Sequence, residues 1–354
     1  MPGSGARTGF RVSLPSMALL PLLLAAAAAT AAPQPAKLKT FNDWTVGCDN
    51  GRACHAVALV PEERWEGAVT MSVRRGPEAH APVVIHFFPT DDTRVTGLRA
   101  YGQPLPVRLT ETNEGLQASA DDMGGLLSVI RGADKIELLG ADGAVVGTVT
   151  LAGSSAALLY MDEQQKRFGT VTALVRPGTR PASAVPPPPP LPVVQMAPAP
   201  SGAPIKLSDA RLKAIRLKAN CGIDEVGGPI EEEIHQLSPG KALLMLSCGS
   251  GAYNVSYVPH LLTAQGKTVK AAYMPFDITP EWWDDKKPVL VNAEWNPEQR
   301  RLGAFSKGRG LGDCGETRSY AWDGTRFRLV EQAEMDQCQG SVDYITTWRA
   351  EVRR

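Results

Sequence analysis

"FNDWTVGCDNGRACHAVALV", residues 41–60, holds the reading on which the fold turns. Cys48 and Cys54 stand equally far from Gly51 in an Asn-Gly pair. Asn-Gly between alternating apolar segments is a strong local signal for a β-hairpin. Side chains alternate along a strand, so Trp44, Val46 and Cys48 share one face, as do Cys54, Ala56, Ala58 and Val60. A turn centred on Gly51 sets the cysteines opposite each other. In a non-hydrogen-bonded pair that leaves about 4.5 Å between Cα atoms, within disulfide range. His55 points to the other face. A metal would need two more ligands, and a redox couple would prefer Cys-x-x-Cys. The spacing predicts a structural disulfide.

The same alternation continues through "VTMSVRR", "PVVIHFF", "GLRAYG", "LPVRLTE", "DKIELLG" and "AVVGTVTLAG", which read as short strands. Two helices are expected among them. One lies near 121–131, weakened by Gly124 and Gly125. The other lies near 155–168, with Ser154 or Ser155 as cap, Leu158, Met161 and Phe168 on one stripe, and Gly169 as stop. Residues 37–176 thus read as one β-rich domain.

Residues 177–204 carry 11 prolines. Proline fixes φ and donates no backbone hydrogen bond, so a helix or a central strand is excluded there. The expectation is a disordered, extended linker with polyproline II character, reaching roughly 85 Å at about 3.1 Å per residue.

A second β-rich domain, 205–354, follows. It opens on a helix near 208–219 capped by Ser208, with Leu207, Ala210, Ala214, Leu217 and Cys221 as its apolar stripe. Strand patterns resume from "KALLMLSC" to "VDYITTWRAEV", with turns at Asn296-Pro297 and Asp323-Gly324. The fold class is mainly β: two antiparallel β-rich domains of sandwich or meander type, with a few helices.

If the first pair closes on itself, the four cysteines after the linker allow three connectivities. Cys221 ends the helix stripe and Cys248 shares a face with Leu244 and Leu246, so a helix docked on that strand joins them. That leaves Cys314 with Cys338 across the Asp323-Gly324 hairpin. Ala333 lies nearer than Cys338 to the position opposite Cys314, so a bulge or a following loop must absorb the difference.

The chain opens with Arg7 and Arg11, an apolar run at 17–29 and the small residues Ala29-Thr30-Ala31, the pattern of a cleaved secretory signal over 1–31. The run is short for a membrane span, which needs about 20 apolar residues. No later segment is apolar enough to span. Export to the periplasm or beyond gives six cysteines an oxidising space. Lys plus Arg and Asp plus Glu both number 37, which offers no basic face for nucleic acid.

"FNDWTVGCDNGRACHAV", the six cysteines, "SCGSGAYN" at 247–254 and "GLGDCGETRSYAWDGTRFRLVEQAEMDQCQG" at 310–340 resemble an exported bacterial family, domain of unknown function 1176. The resemblance covers about residues 38–350. It implies export and structural cysteines, and it brings no assigned activity. The opening Trp-x3-Cys-x5-Cys is also similar to the invasion-associated locus B family of envelope proteins.

Other motifs carry little chemistry. "GLGDCG", 310–315, matches Gly-x-Gly-x-x-Gly, but an antiparallel strand follows where a dinucleotide site needs a helix. In "SCGSGAYN" Cys248 stands where a nucleophile elbow has glycine, which leaves Ser250 in a turn. His55, His80, His86, His235 and His260 are scattered. "EEEIH" at 231–235 reads as a solvated acidic turn, and Asp121-Asp122 and Asp284-Asp285 as helix or turn caps. Trp282 and Trp283 are the candidate recognition surface for sugars or partner proteins, against the simpler reading that they plug the β-core.

No catalytic residue, metal site or cofactor is expected. The function that fits is an exported, disulfide-stapled envelope protein acting as a non-enzymatic binding or interaction module, its partner another envelope protein or a cell-wall glycan. The alternatives are a periplasmic hydrolase with a site between the domains, and a secreted inhibitor.

Overall fold

The computed structural model describes residues 32–61, 69–89, 94–221, 232–266, 268–280 and 287–354, with Met1, Gly3 and Gly5. Met1–Ala32 and Pro33–Arg354 are separate units. The rest of the expected signal segment, Trp282, Trp283, Asp284-Asp285 and Glu231 lie outside the described residues.

The opening hairpin forms with Cys48 directly opposite Cys54, and a disulfide joins them with Cα atoms 4.0 Å apart. Asp49 holds the turn, its Oδ1 accepting from Gly51 N and Ala53 N at 2.8 and 2.9 Å. This hairpin sits in a seven-stranded antiparallel sheet. Its order is Lys39–Phe41, Trp44–Cys48, Cys54–Ala58, Val69–Arg75, Val83–Pro89, Gly115–Ala118, Leu109–Thr112. A four-stranded sheet runs Val145–Thr150, Lys135–Leu139, Gly97–Ala100, Gln103–Leu105. Trp44, Met71, Ile85 and Phe87 form a core with Leu126 and Ile130 of helix α1 (Met123–Gly132) and with Leu158 and Met161 of α2 (Ser154–Gln164).

Helix details depart from expectation. Asp121 and Asp122 bind Arg108 instead of capping α1. Ser154 and Ser155 donate to the carbonyls of Ile130 and Arg131, so Gly153, at φ 99°, occupies the cap position of α2. A Cβ at Gly153 would fall 1.8 Å from Phe41 O, so only glycine fits. The helix ends before Phe168, because Lys166 turns left-handed and Arg167 folds inward. Phe168 is left 46% exposed, off the stripe.

The C-terminal half is a sandwich. One sheet runs Glu233–Ser238, Lys241–Ser250, Val255–Gln265, Thr268–Tyr273, with Leu290–Val291 paired to the third strand. The other runs Glu294–Asn296, Arg301–Lys307, Gly315–Trp322, Phe327–Met335, Ile345–Arg349. Leu243, Met245, Tyr257, Trp295, Tyr320, Trp322 and Phe327 fill the space between them. Helix α3 (Asp209–Ala219), capped by Ser208 Oγ accepting from Arg211 N, covers the outer face of the first sheet. Its buried face carries Ile215 and Ala219. The stripe expected through Ala210, Ala214 and Leu217 faces outward instead, with Leu217 73% exposed. The helix docks at its C-terminal end, where Cys221 bonds Cys248. Cys314 bonds Cys338, and a register shift between Ser319 and Tyr320, with the loop after Met335, absorbs the offset.

The proline-rich stretch corrects an expectation. Residues 177–204 keep to the body and do not serve as a disordered spacer. Ala182, Val185, Val194, Met196 and Ala197 are buried, and Val193–Gln195 pairs in parallel with Glu351–Arg353. The pairing uses the longest proline-free run there, 193–197, at an edge position that proline-rich sequence tolerates. The halves are in contact as well. Val57 and Leu59 pack with Cys314, Met335 and Ile345, and a Cβ at Gly47 would meet Leu38 and Ile345 at 2.6 and 2.8 Å. Pro33–Arg354 is therefore one compact unit with two β-rich halves. Among the described residues no helix is long and apolar enough to cross a membrane.

Closing the short Cys48–Cys54 loop contributes about 2 kcal/mol and each longer loop about 3–4 kcal/mol in the chain-entropy model. Urea unfolding of the Cys221→Ala/Cys248→Ala variant is expected to show the larger loss, and Cys48→Ala/Cys54→Ala the smaller. Glu334 lies directly opposite Glu316 across two strands. Burial first, then Glu316 and Asp336, push its pKa up to about 7, with Arg318 pulling the other way. A raised folded pKa favours the fold in acid. That contribution is complete below 4.5 and is lost as pH rises through about 7. Glu334→Gln is expected to raise stability at about pH 8 by on the order of 1–2 kcal/mol and to flatten the profile of melting against pH.

Candidate functional site

Alternation gives the strands of the seven-stranded sheet two unlike faces. Ala56, Met71, Val73 and Ile85 turn into the core, while His55, Ser72, Arg74 and His86 turn towards the C-terminal half. His55 and Arg74 are cross-strand partners, and so are Ser72 and His86.

Arg74 organises the polar face. Its Nη1 donates to Glu114 Oε2 at 2.8 Å, its Nη2 donates to Asp343 Oδ1, and its Nε lies 3.4 Å from His55 Nε2. His55 Nε2 lies 3.2 Å from Asp343 Oδ2. Burial opposes ionisation of Asp343, but the hydrogen bond and charge of His55, then those of Arg74, outweigh it and hold the carboxyl down at about 2. Burial, then Arg74, push His86 below the ordinary imidazole range.

A second tie closes the other end. Arg349 Nε donates to Asp49 Oδ2, Arg349 N donates to Asn50 Oδ1 at 2.7 Å, and Asn50 Nδ2 donates to Arg349 O at 2.9 Å. The disulfide-closed turn is thereby fastened to the strand Ile345–Arg349.

Between the ties lies a cleft of about 780 Å³, lined by Asp49, His55, Arg74, Arg75, His80, Tyr344 and Arg349, with Ala81, Pro82 and Val84 as an apolar strip. Its size is in the range of small-molecule sites, about 300–1,000 Å³. One wall, the loop after Arg75, is held from behind. Arg167, fully buried, donates to the carbonyls of Glu78 and Ala79 at 2.6 and 3.0 Å. Gln165 Nε2 donates to Arg75 O and Gly76 O, and Arg75 Nε donates to Ala81 O at 3.1 Å. Burial, then the neighbouring Arg167 charge, lower Arg75 to about 10. Asp162 balances this pair of cations while accepting from Leu174 N and Val175 N.

The cleft therefore carries an arginine at each end whose charge is met by a carboxylate, Arg74 by Asp343 behind the lining and Arg349 by Asp49 within it. A hydroxyl group donates and accepts at once, so it can bridge such a pair without adding charge. Among the described residues no group of three His, Cys, Asp or Glu side chains is placed to hold a metal ion. "GLGDCG" forms a turn in which Arg309 is paired with Asp313, and the strand Gly315–Trp322 follows it. Ser250 ends a strand of the other sheet and does not line the cleft.

The family described as "Protein of unknown function (DUF1176)" matches residues 38–351. The chain belongs to this family. It is similar to the uncharacterised protein YpfG of Escherichia coli (strain K12), 29% identical over 350 residues, covering 91% of this chain and 92% of that one. It is also similar to the crystal structure of invasion associated protein b from Bartonella henselae. There the identity is 19% and the TM-score 0.28, over 37% of this chain and 99% of that one.

The sequence did not mark the cleft residues of this family member. Arg74 and Asp343 are 269 residues apart, and nothing local flags the pair. The outward direction of His55 was the one available signal.

Asp343 has a depressed folded pKa, so its contribution to stability is present above 3.8 and is lost as pH falls towards about 2. Asp343→Asn is expected to cost on the order of 2–3 kcal/mol at neutral pH and to remove that part of the acid limb, read by urea melts from about pH 7 down to 2.

Proposed function

We propose that this chain is an exported, disulfide-stapled binding module of the bacterial envelope, and that the cleft between its halves takes a neutral polyhydroxylated group of a cell-wall glycan. The observation that carries the reading is that the arginine at each end of the cleft already has its carboxylate, Arg74 with Asp343 behind the wall and Arg349 with Asp49 in it. A charged ligand would leave one side of such a pairing uncompensated, whereas sugar hydroxyls use donor and acceptor together. Tyr344 and the Pro82–Val84 strip offer the apolar surface that a sugar ring covers. Three closed disulfides and the apolar N-terminal run support an oxidising location, periplasmic or secreted. Trp282 and Trp283 are a second recognition surface, proposed on sequence alone.

One observation favours the reading as a hydrolase with a site between the halves. Asp343 engages His55 Nε2, which leaves Nδ1 as the nitrogen for a proton transfer in the cleft.

Calorimetric titration of the mature chain with soluble cell-wall glycan fragments tests both. Binding without turnover is expected, weakened about tenfold or more in Arg349→Ala and His55→Ala variants whose melting is checked in parallel. Fragments that fail to bind, or that bind both variants unchanged, would remove the cleft from the account. Cleavage of the fragments that His55→Ala abolishes would establish the hydrolase.

A further inference from the structure

Helix α3 leaves a second recess on the C-terminal half, where its flank meets the strands Val255–Gln265 and Thr268–Tyr273. The recess is a cavity of about 160 Å³, and the side chains that carry its chemistry are Arg211, Lys218, His260 and Tyr273. None of the lining residues is acidic among those described. His260 is 5% exposed. Its Nδ1 lies 2.9 Å from Val258 O and donates there, which leaves Nε2 as the ring nitrogen not used by that bond. Tyr273 packs on that ring with centroids 5.1 Å apart. Arg211 Nη2 lies 3.4 Å from Val269 O, which steers the guanidinium over the strand. Lys218 is near enough to His260 to oppose its protonation, after burial, the larger cause.

We infer that this cavity is a binding site for a phosphate group. Two permanent cations, an imidazole and a phenol converge on one small space. Oxyanions are held by such charge-assisted donors. A phosphate has enough oxygens to engage the four groups together, and a carboxylate has two. The volume is below that of a whole small-molecule site, about 300 Å³ at the least, so the cavity takes one group while the rest of the ligand lies outside. Outside the cavity the same helix exposes Leu217 and Lys213. A lipid headgroup and a soluble phosphate ester share this chemistry. The site is independent of the cleft and needs no part of the glycan reading.

The test titrates the full mature chain with inorganic phosphate, followed by amide and imidazole NMR shifts. It also measures co-sedimentation with vesicles of phosphatidylglycerol and of phosphatidylcholine. Phosphate is expected to shift His260 and the α3 amides. Affinity should fall about ten- to hundredfold in Arg211→Ala/Lys218→Ala and stay unchanged in Lys213→Ala, whose charge lies on α3 outside the cavity lining. Both variants alter exposed positions, and equal melting temperatures verify their folding. Phosphatidylglycerol binding that phosphate displaces assigns the lipid headgroup. Phosphate binding without vesicle binding assigns soluble esters. No phosphate binding, or binding that the double variant retains, overturns the site.

Discussion

A sheet with one face backed by helices still has a second face to cover, and here that face carries His55, Ser72, Arg74 and His86. Polar side chains shut away from water need partners, and charged ones need them most. Arg74 meets that need by reaching Asp343 and Glu114 with separate nitrogens. Asp49, already spent on the turn amides with one oxygen, offers the other to Arg349. Between these ties Val57, Leu59, Met335 and Ile345 make ordinary apolar contact, and Gly47 has no side chain because Leu38 and Ile345 occupy its space. Charge at the rim and close packing in the middle thus allow one docking of the halves. A slipped one would leave a buried ion without its counter-ion.

The cleft is a by-product of that docking, and its character follows from it. Ties that neutralise each other leave a surface rich in directional donors and acceptors yet low in net field. The recess under α3 is the opposite case, since its cations meet no acid among the described lining residues. Two openings on one scaffold therefore differ in lining, one with its arginines matched by carboxylates and the other with cations and no acid among the described lining residues.

Much of the architecture was legible in the residues. The symmetry of Cys48 and Cys54 about Gly51 is local, and so is the two-residue alternation that marks the strands. What stayed hidden depends on contacts distant in sequence. The stripe on 208–219 was assigned by spacing, but a helix pinned at one end by Cys221–Cys248 turns the face that its docking dictates, so Ile215 is covered and Leu217 is not. In 177–204 the backbone makes a 3-10 turn at Ala182–Ala184 and one short strand at Val193–Gln195, which composition does not mark. Composition was silent on adhesion, because a short run of Val193, Val194 and Gln195 is enough to pair with the last strand. The cleft was invisible for the same reason, as each half contributes side chains that look like plain surface charge.

The order in which the chain is made gives the late position of Asp343 and Arg349 a consequence. Protein emerges from its N-terminal end, and the first half has its own apolar core ready before the closing residues exist. The surface left waiting is polar at its rim, at His55, Arg74 and Asp49, and apolar only where Val57 and Leu59 await Met335 and Ile345. Completion comes when the tail swings in, and a chain cut short by a dozen residues would leave a folded first half with an open, hydrated flank.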